Sequence, residues 1–137
     1  MISYSEQVGD RLKKIRFIFN EGGKLSADQF AFLLGETRDK IANYELGRAG
    51  LPIRVIYELY KRGINPVYLI SGEGSIFADN YEGQNFRARV AIKVKSGWKF
   101  SQQSLDILLP SLEIDKDKLV NIELKLAAGK ISSKKQP

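Results

Sequence analysis

Two short helical segments separated by only three residues constrain the fold of this chain more than any other feature. The first, SADQFAFLLG, opens with a capping box, in which Ser26 precedes Gln29 by three residues, and it ends at Gly35. The second, RDKIANYELG, begins after Thr37, a residue that can cap a helix, and Gly47 ends it. Two helices joined in this way are typical of a helix-turn-helix unit.

Three further helices are predicted around this unit. Residues 6–19 place four apolar side chains at spacings of four, three and four, which is one face of a helix that Ser5 can cap. Pro52 opens PIRVIYELYKRG, and Asn65 with Pro66 opens NPVYLISG. The side chains expected to face inward are Val8, Leu12, Ile15 and Phe19 in the first of these helices and Ile53, Ile56, Leu59 and Tyr60 in the second.

The sequence pattern changes in the second half of the chain. FRARVAIKVK, residues 86–95, alternates apolar and mostly basic side chains, which is the period of a half-buried strand. Ser96 and Gly97 are expected to turn the chain, WKF to return as a second strand, and helices to follow over 102–109 and 115–128. The predicted organisation is an all-α five-helix domain over 1–78, a small α+β region over 79–130 and a flexible tail over 131–137.

The residue types that are absent exclude most enzyme classes. The chain contains no Cys and no His, so disulfides, thiol nucleophiles, His-based acid–base pairs and the commonest zinc ligands are all excluded. We therefore expect a protein that is not an enzyme and that needs neither a cofactor nor a metal. No apolar run approaches the roughly 20 residues that cross a bilayer, so a soluble, cytoplasmic protein is expected.

The net charge of +6 points to a polyanionic partner, but its distribution is uneven. Residues 1–80 carry 11 Lys or Arg against 10 Asp or Glu, whereas residues 81–137 carry 11 against 6. The basic excess therefore lies outside the helix-turn-helix unit. Any nucleic-acid contact in the first half must depend on where individual charges are placed.

The run from Arg11 to Phe77 resembles the lambda-repressor-like, or Cro/repressor, family of helix-turn-helix DNA-binding domains. The matching stretches are GDRLKKIR, LSADQFAFLLG, TRDKIANYELGR and INPVYLISGEGSIF, which are specific in their order and spacing although each is weak alone. The resemblance covers about half of the chain. It implies a five-helix lambda-repressor-like domain that binds double-stranded DNA as a dimer on a palindromic operator, as phage repressors do.

The resemblance also implies that the third helix enters the major groove with its N-terminal turn toward the base edges. Ile41 and Tyr44 are expected to pack inward, so the opposite face of the helix points outward. The outward residues expected to contact bases are Arg38, Asp39, Lys40 and Asn43.

Each of these side chains suits a particular contact with DNA, and Asp39 and Lys40 each have an alternative role. Arg38 suits a bidentate contact with guanine O6 and N7, and Asn43 suits adenine N6 and N7. Asp39 either accepts from cytosine N4 or stabilises the positive helix N-terminus. Lys40 either contacts a base or contacts phosphate alone.

Phosphate contacts are expected from the start of the second helix and from the loop after the third. The residues are Ser26, Ala27 through its backbone, Thr37, Arg48 and Arg54. Two departures from the family weaken this expectation, because Ala27 stands where Gln is usual and the proline after the third helix comes one residue late. Tyr44 and Glu45 match the family's YE pair, and Glu45 is expected to pair with Arg11.

A dimer contact is expected in the second half, through the edge of the predicted strand and the apolar sides of the later helices. The residues are Val90, Ile92, Val94, Leu119, Ile122 and Leu126. Alternatively, the basic strand face and the Lys-rich end contact nucleic acid, or they are merely solvated. The segment is too short for the self-cleaving serine-lysine domain of many phage repressors.

The favoured function is a sequence-specific, dimeric transcriptional regulator of phage or prophage type, which represses by occupying an operator. An antirepressor or another protein is a further candidate partner of such a regulator. One alternative function is an antitoxin or autoregulator whose second half mainly binds another protein. The other is a protein-interaction module that does not bind DNA. Repression itself rests on the family resemblance alone.

Overall fold

A computed structural model of the chain describes residues 2–112. The described residues form seven helices: α1 (Tyr4–Arg16), α2 (Ala27–Leu34), α3 (Arg38–Glu45), α4 (Ile53–Lys61), α5 (Pro66–Ser71), α6 (Tyr81–Lys95) and α7 (Gln102–Leu112). This part of the chain contains isolated bridges between Asn20 and Gly23 and between Ile64 and Phe77, but no sheet. None of these helices combines the length and the apolar character that a membrane crossing requires.

The five predicted helices of the first 78 residues are present, and the signals around the turn between α2 and α3 act as expected. The Ser26 hydroxyl accepts a hydrogen bond from the Gln29 amide, and the Gln29 side chain accepts one from the Ser26 amide. Gly35 ends α2 in the left-handed conformation, with φ of 66°. Thr37 caps α3 through the Lys40 amide. These caps place α3 directly after α2.

Three details of the predicted helices are wrong. The first helix ends at Arg16, so Phe19, predicted on its inward face, lies beyond it. Ser3, not Ser5, caps α1, in a capping box with Glu6. In α4, Ile53 and Tyr60 are exposed, whereas Val55 is fully buried. Apolar residues cover more than half of the circumference of α4, opposite Arg54, Glu58 and Lys61, so the helical period does not select which of them are buried.

The core forms where α3 packs against both α1 and α2. Gly9 lies so close to α3 that an added Cβ would be 2.3 Å from the Tyr44 carbonyl oxygen. A larger residue at this position would therefore push the two helices apart. The most completely buried large side chains of α1 to α5 are Leu12, Ile15, Phe30, Leu34, Ile41, Val55, Leu59 and Leu69.

The predicted strand over 86–95 is wrong, because these residues belong to α6. Phe86, Val90 and Val94 recur every four residues and are buried on one side of this helix. Ile92, which the alternation placed on the same side, is 65% exposed. The amide of Gly83 donates to the Asn80 side chain, so the helix starts before the alternating stretch.

The predicted α+β character of the second half is therefore wrong for the residues that the structure describes. WKF, residues 98–100, forms no return strand, and Ser101 instead caps α7 by accepting from the Ser104 amide. The helix predicted over 102–109 is present as α7. The predicted helix over 115–128 and the predicted tail over 131–137 lie outside the described residues.

Helices α6 and α7 share one core with α1 to α5. The Phe86 ring lies 6.0 Å from the Phe19 ring and 5.1 Å from the Phe77 ring, both in edge-to-face geometry. The Ser104 hydroxyl donates to the Phe17 carbonyl oxygen at 2.7 Å. Residues after the predicted boundary at 78 thus complete the core of the helix-turn-helix unit.

Candidate nucleic-acid interface

The first turn of α3 presents the predicted base-contacting residues to solvent. Arg38, Asp39 and Lys40 are exposed, and Asn43, one turn later, is half-buried. Ile41 and Tyr44 lie in the core, as the helical period predicted. The outer side of α3 is therefore polar and accessible at its N-terminal end, while its inner side fixes the helix to the domain.

A buried ion pair fixes the other end of α3. Arg16 donates to both carboxylate oxygens of Glu45, at 2.7 Å and 2.9 Å, and also to the carbonyl oxygen of Leu25 at 3.1 Å. The expected pairing of Glu45 with Arg11 is wrong, since Arg11 donates to the Leu69 and Ile70 carbonyl oxygens. One guanidinium group thus connects α1, α3 and the segment before α2.

Sequence reasoning missed Arg16, although a signal for it existed. Arg16 follows Leu12 by four residues and lies next to Ile15, so it falls within the buried stripe of α1. A charged residue in such a stripe needs a buried partner of opposite charge. Arg11 lies on the same helix but at the edge of this stripe, where backbone carbonyl groups of α5 satisfy it.

A second polar cluster surrounds the turn between α2 and α3. Arg54 of α4 donates to the Leu34 carbonyl oxygen at 2.9 Å and pairs with the Glu36 carboxylate. The Tyr44 hydroxyl lies 3.4 Å from the same carboxylate. Burial raises the pKa of Tyr44, and the adjacent Glu36 charge raises it further. Arg54, predicted as a phosphate contact, is therefore already engaged in holding the turn.

The remaining predicted phosphate contacts lie at three separate places. Ser26 is exposed and Ala27 half-buried at the start of α2, where backbone amides point toward solvent. Thr37 is exposed, but its side-chain oxygen caps α3. Arg48 is exposed in the loop that follows α3. The structure brings all four residues to the N-terminal ends of α2 and α3 or to the loop beyond α3.

A basic cluster before α2 was not predicted from the sequence. Three cationic groups surround the Phe17 ring: Lys24 at 4.5 Å from its centroid, Arg16 at 5.2 Å and Lys13 at 5.9 Å. We call these four residues the Phe17 cluster. Lys24 is exposed and precedes Ser26 by two residues, so the cluster adds positive charge beside the open end of α2.

An acidic residue also lies beside the exposed turn of α3. Asp28 is in the first turn of α2, and its Oδ2 is 3.9 Å from Nη1 of Arg38. Both side chains are about 70% exposed. Sequence reasoning did not single out Asp28, because the contact depends on how the two helix N-termini are placed together.

The basic residues of α6 do not form the single face that a strand would give them. Arg89 pairs with Glu21 at 3.0 Å, Lys93 lies 4.9 Å from the centroid of the Trp98 ring, and Arg87 donates to the Ser111 carbonyl oxygen. In a helix these side chains flank the buried stripe on both sides. The alternative of a continuous basic strand face is therefore wrong.

The predicted dimer residues have different surroundings. Val90 and Val94 are buried in the core of their own chain, because α6 is a helix and no strand edge exists in this region. Ile92 alone among the three predicted residues of this segment is exposed. Leu119, Ile122 and Leu126 lie outside the described residues.

Neither a metal site within the described residues nor a known relative identifies this surface. Within residues 2–112 no group of acidic side chains is arranged to hold a metal ion. Scans of the chain against models of protein families, against curated proteins and against solved structures find no match. The resemblance to lambda-repressor-like domains therefore stays a prediction from the quoted sequence motifs.

Proposed function

We propose that this chain is a sequence-specific regulator of transcription that binds double-stranded DNA through α3. The observation that carries the proposal is the exposed Arg38–Lys40 turn at one end of a helix whose inner side is buried. Ile41 and Tyr44 anchor this helix in the core, and Glu45 anchors it to α1. A rigid helix with a polar, accessible N-terminal turn suits insertion into the major groove.

The side chains of α3 supply base contacts in this proposal. Arg38 donates to guanine O6 and N7, and Asn43 pairs with adenine in the same half-site. Lys40 contacts a base edge or the adjacent phosphate, and Asp39 accepts from cytosine N4 or stabilises the helix. Recognition depends on the hydrogen-bonding pattern of base edges, which differs among the four base pairs in the major groove.

Phosphate contacts come from the start of α2 and from the Phe17 cluster. The exposed Ser26 and the amide of Ala27 offer donors to one phosphate, and Lys24 offers a charge to a neighbouring one. Arg48 lies beyond the other end of α3, so contacts on both sides of the groove would fix the position of the helix.

The proposed regulator acts as a homodimer on a palindromic operator and represses by excluding polymerase. A single helix-turn-helix domain contacts only a few base pairs, so two copies are needed for a specific site. Among the predicted dimer residues that the structure describes, Ile92 is the exposed one, and its large apolar side chain is accessible to a second copy. An antirepressor or another protein partner is compatible with this arrangement.

Selection of bound duplexes from a random DNA pool at near-physiological salt tests the proposal. The wild type should enrich an inverted-repeat motif, and Arg38→Ala should lose the preference at one position in each half-site. Lys61→Ala is the control, since Lys61 pairs with Glu58 at the C-terminal end of α4. The absence of any enriched motif, or an equal effect of both variants, would contradict the proposal.

Two exposed apolar side chains favour a second candidate function, a module that binds proteins instead of DNA. Phe32 of α2 is 80% exposed and Ile53 of α4 is 83% exposed. Phe32 lines a surface groove together with Leu25 and Leu33, and exposed apolar groups that cluster are typical of binding surfaces. Loss of a protein partner on Phe32→Ala, together with no selected DNA motif, would favour this candidate. An antitoxin or autoregulator would combine DNA binding with a partner on the second half.

A further inference from the structure

The contact between Asp28 and Arg38 places a carboxylate directly beside the proposed guanine-contacting residue. At 3.9 Å between Oδ2 and Nη1, the contact is an ion pair and is too long for a hydrogen bond. The two residues belong to different helices, and each lies in the first turn of its own helix. The pair therefore depends on the relative placement of α2 and α3.

A carboxylate at this position opposes DNA binding in general. Phosphate groups repel it, and it reduces the positive potential that Arg38, Lys40 and Lys24 create on this side of the molecule. Asp28 thus contributes nothing to affinity for DNA of arbitrary sequence. A group that lowers affinity for all DNA can nevertheless increase the difference in affinity between the correct and an incorrect sequence.

The geometry of the guanidinium group shows how Asp28 would raise that difference. Arg carries five N–H donors in a planar fork, and the contact with Asp28 is at Nη1. The edge formed by Nε and Nη2 remains for a bidentate contact with guanine O6 and N7. A long, exposed side chain loses conformational entropy when it is fixed in a complex, and a partner that orients it beforehand reduces this loss.

We propose that Asp28 is a positioning and specificity-determining residue, which orients Arg38 toward one guanine in each half-site. This inference rests on the proposed DNA binding. The carboxylate acts through Arg38, so its effect should be confined to the base pair that Arg38 contacts. It should also disappear when Arg38 is removed.

Glu82 provides a control for the charge of Asp28. It is an exposed acidic residue in the first turn of α6, a helix that supplies none of the proposed DNA contacts. A carboxylate in the first turn stabilises a helix in both cases. Asp28→Asn and Glu82→Gln therefore remove the same charge at the same kind of helix position, but only Asp28→Asn removes a neighbour of Arg38.

The test measures binding of the full-length chain to the selected duplex by fluorescence anisotropy. Three duplexes carry guanine, adenine or 7-deazaguanine at the position that Arg38→Ala identifies, and a fourth has an unrelated sequence. The protein series is the wild type, Asp28→Asn, Arg38→Ala, the double variant and Glu82→Gln. Thermal melting of each variant checks that the fold is retained.

Asp28→Asn is expected to reduce the preference for guanine over adenine and 7-deazaguanine several-fold, while binding to the unrelated duplex becomes tighter. In the Arg38→Ala background, Asp28→Asn should leave the base preference unchanged. Retention of the wild-type preference by Asp28→Asn would overturn the inference. So would an equal loss at the same base pair in Glu82→Gln, since the effect would then be one of general charge.

Failure of this inference can be distinguished from failure of the proposed function. If the wild type shows no preference among duplexes, the proposed function and the inference are both wrong. If the wild type prefers guanine and Asp28→Asn prefers it equally, only the role of Asp28 is wrong.

Discussion

The Arg16–Glu45 pair shows how one residue can decide the position of a whole surface. Both side chains are about one-tenth exposed, and the guanidinium group also satisfies the Leu25 carbonyl oxygen. A buried ion pair of this kind adds little net stability compared with apolar side chains of similar size. Its geometry, however, fixes the C-terminal end of α3 against α1, and so fixes where the exposed turn of α3 points.

Glu45→Ala is expected to lower the free energy of unfolding by about 3–5 kcal/mol, because Arg16 would remain buried without its partner. Urea unfolding followed by circular dichroism measures this change. Asp10→Ala is the control, since Asp10 and Lys14 form an exposed pair at 3.4 Å whose loss should cost at most about 1 kcal/mol. Equal changes in the two variants would show that the Arg16–Glu45 pair is not effectively buried.

Local signals explain which helices could be predicted from the sequence and which could not. Ser26, Gly35 and Thr37 act within four residues of their own position, so the ends of α2 and α3 were predicted correctly. In α6, Phe86 and Val90 are four residues apart, and a spacing of four satisfies the period of a strand as well as that of a helix. The sequence features that favour the helix are the Asn80 cap and residues 81–85, which belong to α6 but do not alternate.

Substitutions on α6 distinguish the helix from the predicted strand. Phe86→Ala should lower the free energy of unfolding by about 3–5 kcal/mol, because Phe86 packs against Phe19 and Phe77 in the core. Ile92→Ala should change it by less than about 0.5 kcal/mol in the monomer, because Ile92 is exposed. Thermal and urea unfolding at low protein concentration measure both. Large, similar losses in the two variants would favour the strand.

Because α1 and α3 are in close contact at Gly9, we expect Gly9→Ala to destabilise the protein, although helix propensity alone predicts the opposite. Alanine is a better helix former than glycine by about 1 kcal/mol, so Gly9→Ala would stabilise an isolated α1. In the protein the new Cβ would meet the Tyr44 and Glu45 carbonyl oxygens at 2.3 Å and 2.6 Å, so we expect a net loss of stability. Calorimetry should show a lower Tm for Gly9→Ala. Gly50→Ala should leave the Tm nearly unchanged, because a Cβ added at Gly50 would meet no neighbouring atom within 4 Å. A higher Tm for Gly9→Ala would mean that α1 and α3 are not in close contact.

At the scale of the whole molecule, the candidate site combines residues that the sequence indicates with residues that only the fold brings together. The outward positions of α3 follow from the inward positions of Ile41 and Tyr44, because one helix determines both. Lys24 and Asp28 could not be assigned in this way. Their relation to Phe17 and Arg38 depends on the packing of separate elements, which no local pattern encodes.

The distribution of charge in the first half of the chain determines which residues can attract DNA. Residues 1–80 carry a net charge of only +1, so the helix-turn-helix unit is not basic as a whole. Local clusters must then supply the phosphate contacts of the proposed complex, and the Phe17 cluster is the one nearest in sequence to the N-terminus of α2. Each phosphate contact releases condensed counterions from DNA, so the affinity falls with salt in proportion to the number of such contacts.

Lys24→Ala is therefore expected to weaken binding to every duplex alike and to reduce the slope of log affinity against log salt concentration by about 1. Titrations of the selected and the unrelated duplex over a range of salt concentrations measure both effects. Lys61→Ala is the control, because Lys61 lies beside Arg62, which donates to Leu33 near the opposite end of α2 from Ser26. A loss confined to the selected sequence would make Lys24 a base contact, and an unchanged slope would remove the Phe17 cluster from the proposed interface.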